Sequence, residues 1–165
     1  MTVSEGARIA ARLRAAIDEG AALFDRASED QTSRRPAPGS WCAREVIGHL
    51  IDSACNNQRR FVVNQRSERL AVDPYDQDAW VSASHHADTP AAELVETWRA
   101  YNRQIARIIE HTPDETLNQP RGAIAEYRFP YLGYHPSDSA TLRDLIEDYV
   151  GHIQHHLRQI RRLLA

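Results

Sequence analysis

Apolar residues recur at intervals of three and four over four long stretches of the chain, and each stretch predicts an amphipathic helix. The first, about 4–27, carries Ile9, Leu13, Ala16, Ile17, Leu23 and Phe24 as one stripe. The polar run SEDQTSRRPAPGS follows it and reads as a connector. The second, about 40–66, has Ser40 in the place of an N-cap and Val46, Ile47, Leu50, Ala54 and Phe61 on its stripe. The third, about 89–111, opens on Thr89-Pro90, a cap followed by proline at the first helical position. It carries Leu94, Val95, Trp98, Tyr101, Ile105 and Ile108. The fourth, about 141–164, opens on TLRD, a threonine with an acid three places on.

Four such helices within 165 residues predict an all-α chain, a four-helix bundle forming a single domain. The connection 67–88 is long enough to run the whole length of a helix of about 30 Å, so the second and third helices need not form a hairpin. Between the third and fourth helices, RGAIAEYRFPYLGYHP is rich in aromatics and glycine. It reads as a short hairpin or an ordered lid, with no strand assigned.

The fourth helix contains YVGHIQHHLRQI, three histidines within five positions. On a helical wheel with Leu142 at zero, His156 falls at about -40°, His152 at about -80° and His155 at about -140°. The i, i+4 pair His152 and His156 therefore faces the bundle interior, and His155 points away. Two buried imidazoles repel each other if protonated and need partners if neutral; a divalent ion resolves both problems. A third ligand must then come from a facing helix, and His49 in EVIGHLIDSACNNQRR stands at the edge of the second helix's stripe. Both helices place glycine immediately before a histidine, GHL at 48–50 and GHI at 151–153. Glycine inside a helix costs about 1 kcal/mol against alanine. The expected return is a closer approach of the helices at the level of the histidines. On spacing alone two readings stand open. One is a metal site of His49, His152 and His156; the other is a set of ordinary histidines bonded to carboxylates such as Asp148.

The blocks GSWCAREVIGHLIDSACNNQRRFV, PYDQDAWV and TLRDLIEDYVGHIQHHLRQI, in that order, resemble the DinB/YfiT-like superfamily of metal-binding four-helix bundles. The resemblance covers most of the chain. Carried over position by position, it implies His49, His152 and His156 as metal ligands, with His155 between the last two and not a ligand. It also implies an up-down-down-up bundle with a long crossover between helices two and three, and a homodimer. It assigns no role to Tyr75 or Trp80.

Three neutral imidazoles leave a divalent ion with open positions. Zinc and nickel are the first expectations, and iron and manganese also suit imidazole. Such an ion activates a water or a thiol. The expected chemistry is therefore hydrolysis or S-transfer on a small-molecule substrate, with a low-molecular-weight thiol among the candidate partners. Asp52, one turn after His49, and Asp148, one turn before His152, are expected to orient a ligand imidazole or accept a proton. His135 is a weaker candidate for substrate contact. The helices numbered one and three here are expected to line the pocket with generic apolar side chains. The rival reading is a non-catalytic bundle in which the ion cross-links helices two and four.

Composition narrows the field further. The net charge of -3 offers no broad basic surface for nucleic acid, and the pairs Arg34/Arg35, Arg59/Arg60 and Arg161/Arg162 read as surface charges. All 20 basic residues are arginine, which excludes a catalytic lysine. No stretch approaches the roughly 18 apolar residues of a membrane span, nor a signal peptide, so a cytoplasmic protein is expected. Cys42 and Cys55 lie about 20 Å apart on one helix, beyond disulfide reach, and read as small core residues. Neither a nucleophile elbow nor a phosphate-cradling glycine loop occurs.

Overall fold

Four long helices, α1 (Glu5–Phe24), α3 (Ala43–Asn64), α5 (Ala91–Glu110) and α7 (Leu142–Leu163), coincide with the four apolar stripes. The computed structural model describes residues 3–122, 127–132 and 139–165. Three short helices, α2 (Glu29–Ser33), α4 (Gln77–Ala83) and α6 (Asp114–Asn118), and a 3-10 turn at His86–Asp88 lie in the connections. A two-residue antiparallel ladder pairs β1 (Arg121–Gly122) with β2 (Ser139–Ala140) just before α7.

The helix starts show which local rules won. Thr141 and Asp144 form the expected reciprocal cap of α7, each side chain bonding the other's amide. Helix α3 begins at Cys42 rather than Ser40, because the Glu45 carboxylate reaches back to the Cys42 amide at 2.9 Å. Helix α5 takes Pro90 as its N-cap, without a side-chain cap. The hydroxyl expected to serve there, on Thr89, donates instead to the His85 carbonyl at 3.2 Å. Within the polar connector, Ser28 and Gln31 cap the single turn α2. Asp76 in the crossover caps α4 by accepting from the amides of Asp78 and Ala79.

Side-chain pairs fix the helix directions. Glu5 meets Arg143, Arg12 meets Glu147 and Glu19 meets Arg161, so α1 and α7 run side by side in the same sense. Gly6 lies against Ile109 and Gly20 against Trp98, so α1 and α5 are antiparallel. His49 meets His152 near one end of α3, and Phe61 meets Tyr149 at 5.5 Å further along, so α3 and α7 are antiparallel. Leu13, Ile47, Phe61, Trp98, Ile105 and Leu145 are fully buried between the four helices, each contributing about 1.5–3 kcal/mol of apolar burial. Tyr149 satisfies its buried hydroxyl by donating to Asn102 Oδ1 at 2.6 Å. Among the described residues, no helix is long and apolar enough to cross a membrane.

Cys42 is buried at the start of α3, as a core residue should be, but Cys55 faces outward. Both are free thiols. The two glycines also act differently from expectation. A Cβ on Gly48 would stand 2.2–2.5 Å from the ring and Cβ of His86. One on Gly151 would stand 2.7 Å from the Tyr131 carbonyl oxygen. Each glycine makes room for a connecting segment, not for another long helix.

Candidate metal centre and its pocket

Helix α3 presents His49, Ser53, Asn57 and Arg60 at positions i, i+4, i+8 and i+11, within about 80° of one another. Helix α7 presents Asp148, His152 and His156 at i, i+4 and i+8. Where the two rows meet, His49 Nε2 lies 3.0 Å from His152 Nε2. The His156 ring stands 4.8 Å from that of His49 and 4.6 Å from that of His152, centroid to centroid. One nitrogen from each of the three comes within 4.8 Å of the others. Burial follows the order of the wheel: His156 is buried, His152 half-buried and His155 exposed. His49 is more deeply buried than its place on the shoulder of the stripe suggested, at 2% exposure, with Trp41 packed on its ring at 5.2 Å.

This environment keeps the rings neutral. Burial, and then the neighbouring imidazoles of His156 and His86, push His49 down to about 3. Burial and the same kind of repulsion hold His152 well below the usual histidine range. Burial lowers His156 too, against the pull of Gln159. The outer nitrogens tell which inner ones are free. His156 Nδ1 donates to Gln159 Oε1 at 2.8 Å, and His152 Nδ1 lies 3.3 Å from Ser53 Oγ. That leaves an Nε2 lone pair on His156, and the Ser53 hydroxyl, which can accept from Nδ1, permits the same form of His152. Among the described residues, His49 Nδ1 is buried without a partner.

The donor set suits a divalent ion. Two nitrogens held at about 2.0–2.1 Å from one zinc stand about 3.3 Å apart at the tetrahedral angle, close to the His49–His152 separation. A serine hydroxyl and a glutamine carbonyl behind the rings are the kind of outer partners that orient ligand imidazoles.

The two carboxylates expected to do that orienting are engaged elsewhere. Both oxygens of Asp52 lie 3.1 Å from His86 Nε2, in a buried pair. Asp148 accepts from the Tyr127 hydroxyl at 2.7 Å, the Tyr131 amide at 2.7 Å and the Leu132 amide at 3.1 Å. Burial pushes the Asp148 carboxyl up, against the downward pull of those three donors. The helical register explains both placements. Gly48 and Asp52, four apart, form a socket on one flank of α3 that receives His86. Asp148 and Gly151, three apart, form a second socket on α7 that receives residues 127–132. Each histidine-bearing helix thus grips one connecting segment with an aspartate and clears space for it with a glycine.

Beside His49 and His152 opens a pocket of about 650 Å³. Its walls come from α3, the crossover residues 69–77, residues 127–131 and α7. Among the described residues, α1 and α5 contribute nothing to it, contrary to the apolar lining expected from them. Tyr75, Tyr127 and Tyr131 lie among the lining residues, and so do Asp148 and Arg60. Tyr75 also packs edge-on against Trp80 at 5.4 Å. Arg60 is the sharpest departure from the sequence reading. Arg59 is a surface charge paired with Asp73, but Arg60 is 7% exposed and forms part of the pocket wall. Its place at i+11 from His49 was the available signal. His86 had none, because it lies in a connection without a period. His135 lies outside the described residues.

A family model of the DinB superfamily matches residues 12–160. The chain belongs to the DinB superfamily. Among curated relatives it is 30% identical over 129 residues to "Putative metal-dependent hydrolase YfiT" of Bacillus subtilis (strain 168), covering 76% of this chain and 65% of the relative. It is 29% identical over 128 residues to a protein of the same description from Bacillus pumilus (strain SAFR-032), covering 76% and 66%. Each match thus spans a little under two thirds of the relative's length. The fold matches a solved structure of YfiT from Bacillus subtilis with a TM-score of 0.77, at 20% identity, over 98% of this chain and 88% of that one. That protein is described as a probable metal-dependent hydrolase with an unusual four-helix bundle topology.

Proposed function

We propose that this DinB-superfamily chain is a metal-dependent hydrolase of a small molecule, with His49, His152 and His156 as the protein ligands of a divalent ion. The observation that carries the reading is the convergence of three neutral imidazoles from two helices, two of them, His49 and His152, at the wall of a pocket of about 650 Å³. A bound divalent ion with an open position supplies Lewis acidity that makes water, or a thiol, a nucleophile near neutral pH. The chain's own residues do the rest. Gln159 and Ser53 set the orientation of His156 and His152. Tyr131, packed 5.0 Å from the His152 ring, bounds that side of the site. Asp148 is the one of the two aspartates that lines the pocket, and it stands as the proton acceptor. Asp52, turned to His86, holds the crossover instead.

The pocket favours this reading over a purely structural ion. A cross-link between helices needs a closed shell, whereas His49 and His152 face an open cavity large enough for a ligand. Zinc and nickel are the metals proposed first. Transfer of a low-molecular-weight thiol uses the same open site and differs only in the nucleophile.

Elemental analysis of tag-free protein, wild type beside His152→Ala, tests the site. About one equivalent in the wild type and little in the variant are expected. No metal in either after incubation with zinc and nickel removes the reading. An ester and amide screen, run with and without added thiols, then separates hydrolysis from thiol transfer. Asp148→Asn is expected to lower turnover about 10²–10⁴-fold if the carboxylate takes the proton.

A further inference from the structure

Two arginines line the pocket, and they differ in kind. Arg69 is exposed at the rim. Arg60 is buried, yet among the described residues no carboxylate pairs with it. One of its terminal nitrogens donates to Asn57 Oδ1 at 3.4 Å, and the other to the Asp73 carbonyl. The Asp73 carboxylate is taken by Arg59. The Asp148 carboxylate, the pocket wall's own negative charge, is taken by three protein donors.

A guanidinium has five N–H donors in a planar fork, and two contacts leave most of that fork unused. A buried cation without a carboxylate in contact costs stability, and burial lowers the Arg60 pKa against the smaller opposing pulls of Tyr127, Tyr75 and Asp73. Arg60 is also held over the Tyr75 ring, 6.0 Å from its centroid, an aromatic support that steadies the charge. A missing anion completes this arrangement. One buried fork, with the second arginine out at the rim and phenols in the same wall, suits a singly charged planar carboxylate. A phosphate dianion calls for more than one buried cation.

The register then sets the shape of the ligand. His49 and Arg60 share one face of α3 and stand eleven residues apart, about 16 Å along the axis. We propose that the pocket takes an elongated organic acid whose carboxylate is held by Arg60, while its reacting end lies at His49 and His152. The second half of that statement rests on the reading of the histidines as a metal site; the first half does not.

The test is a titration followed by calorimetry, with metal-free and zinc-loaded protein in parallel. The probes are 6-phenylhexanoate, its neutral amide 6-phenylhexanamide, and 5-phenylpentylphosphonate. The acid is expected to bind at least about ten-fold more tightly than the amide, with or without zinc, and more tightly than the phosphonate. Arg60→Met should erase the preference, and Arg60→Lys should keep part of it. Equal affinity of acid and amide, including no measurable binding of either, overturns the proposal. So does a preference that survives Arg60→Met, and a tighter phosphonate overturns the choice of carboxylate. The acid–amide comparison in the wild type needs no variant, so a misfolded Arg60→Met cannot shelter the idea. Failure of metal binding alone, with the acid preference intact, would sink the histidine reading and leave the anion site standing.

Discussion

Gly48→Ala probes the socket that ties the crossover to the candidate metal helix. An alanine Cβ there would lie 2.2 Å from His86 Cγ and 2.5 Å from its Cβ, more than 1 Å inside ordinary contact. The clash meets the root of the ring, so a rotation of the side chain cannot relieve it. Either His86 leaves its place or the backbone of the crossover shifts. Overpacking of this kind costs about 1–3 kcal/mol. Displacing His86 also strips Asp52 of the buried partner that both its oxygens face, at about 1–3 kcal/mol. Against these stands the gain in helix propensity, about 1 kcal/mol. The net expectation is a loss of about 1–5 kcal/mol, a large share of the stability of a domain this size.

Urea denaturation of metal-free protein measures the loss, and a double-mutant cycle with His86→Ala tests its cause. His86→Ala alone should destabilise by about 3 kcal/mol, because it leaves a buried carboxylate unpaired. In that background Gly48→Ala has nothing to strike. It should then become neutral or stabilising by up to about 1 kcal/mol. If Gly48→Ala costs the same with and without His86, the steric argument is wrong and the glycine serves some other packing need.

Three further outcomes follow from the same geometry. His156→Ala should lose the metal and His155→Ala should retain about one equivalent by elemental analysis; equal losses would refute the assignment of His155 as a bystander. Glu45 is opposed by burial, but the Arg35 guanidinium and the Cys42 amide outweigh it and hold its carboxyl below the usual value of 4.5. Its contribution is therefore fully present above about pH 4.5 and fades as pH falls through the lower folded value. Glu45→Gln should cost about 1 kcal/mol in urea melts at pH 7 and progressively less below pH 4.5, and a pH-independent cost would contradict this. Asp148→Asn replaces an acceptor of three donors with a group that carries its own. Hydrogen exchange at the amides of Tyr131 and Leu132 should accelerate about ten-fold or more, and unchanged exchange would show that the carboxylate does not hold that segment.

The legible part of this protein is whatever repeats with a helical period. The four stripes give four helices, and the wheel on the last of them separates His152 and His156 from His155 before any fold is known. The same period extends along α3. Counting from His49, positions 53, 57 and 60 fall on its face, which is enough to doubt that Arg60 is a surface charge like Arg59. What no period could supply is the partner in each socket. His86 and residues 127–132 sit in connections whose conformation is set by long-range contacts, so the sequence marks the socket and hides the occupant.

That asymmetry changes the meaning of glycine before histidine. Read within the bundle alone, Gly48 and Gly151 can only bring helices together, and the connections remain passive. With the occupants in place, the glycine clears the flank of the helix beside each histidine and an aspartate one turn away binds what enters. In α3 the aspartate follows the histidine and takes His86. In α7 it precedes the histidine and takes Tyr127, Tyr131 and Leu132. Because the two helices are antiparallel, the reversed order sets Asp52 and Asp148 toward the same end of the bundle from the histidine cluster. A helix-forming residue at either glycine would strengthen the local helix and displace the connection docked there, which at Gly151 forms a wall of the pocket. The site's architecture thus depends on accepting weaker helices at the two positions where the connections must dock.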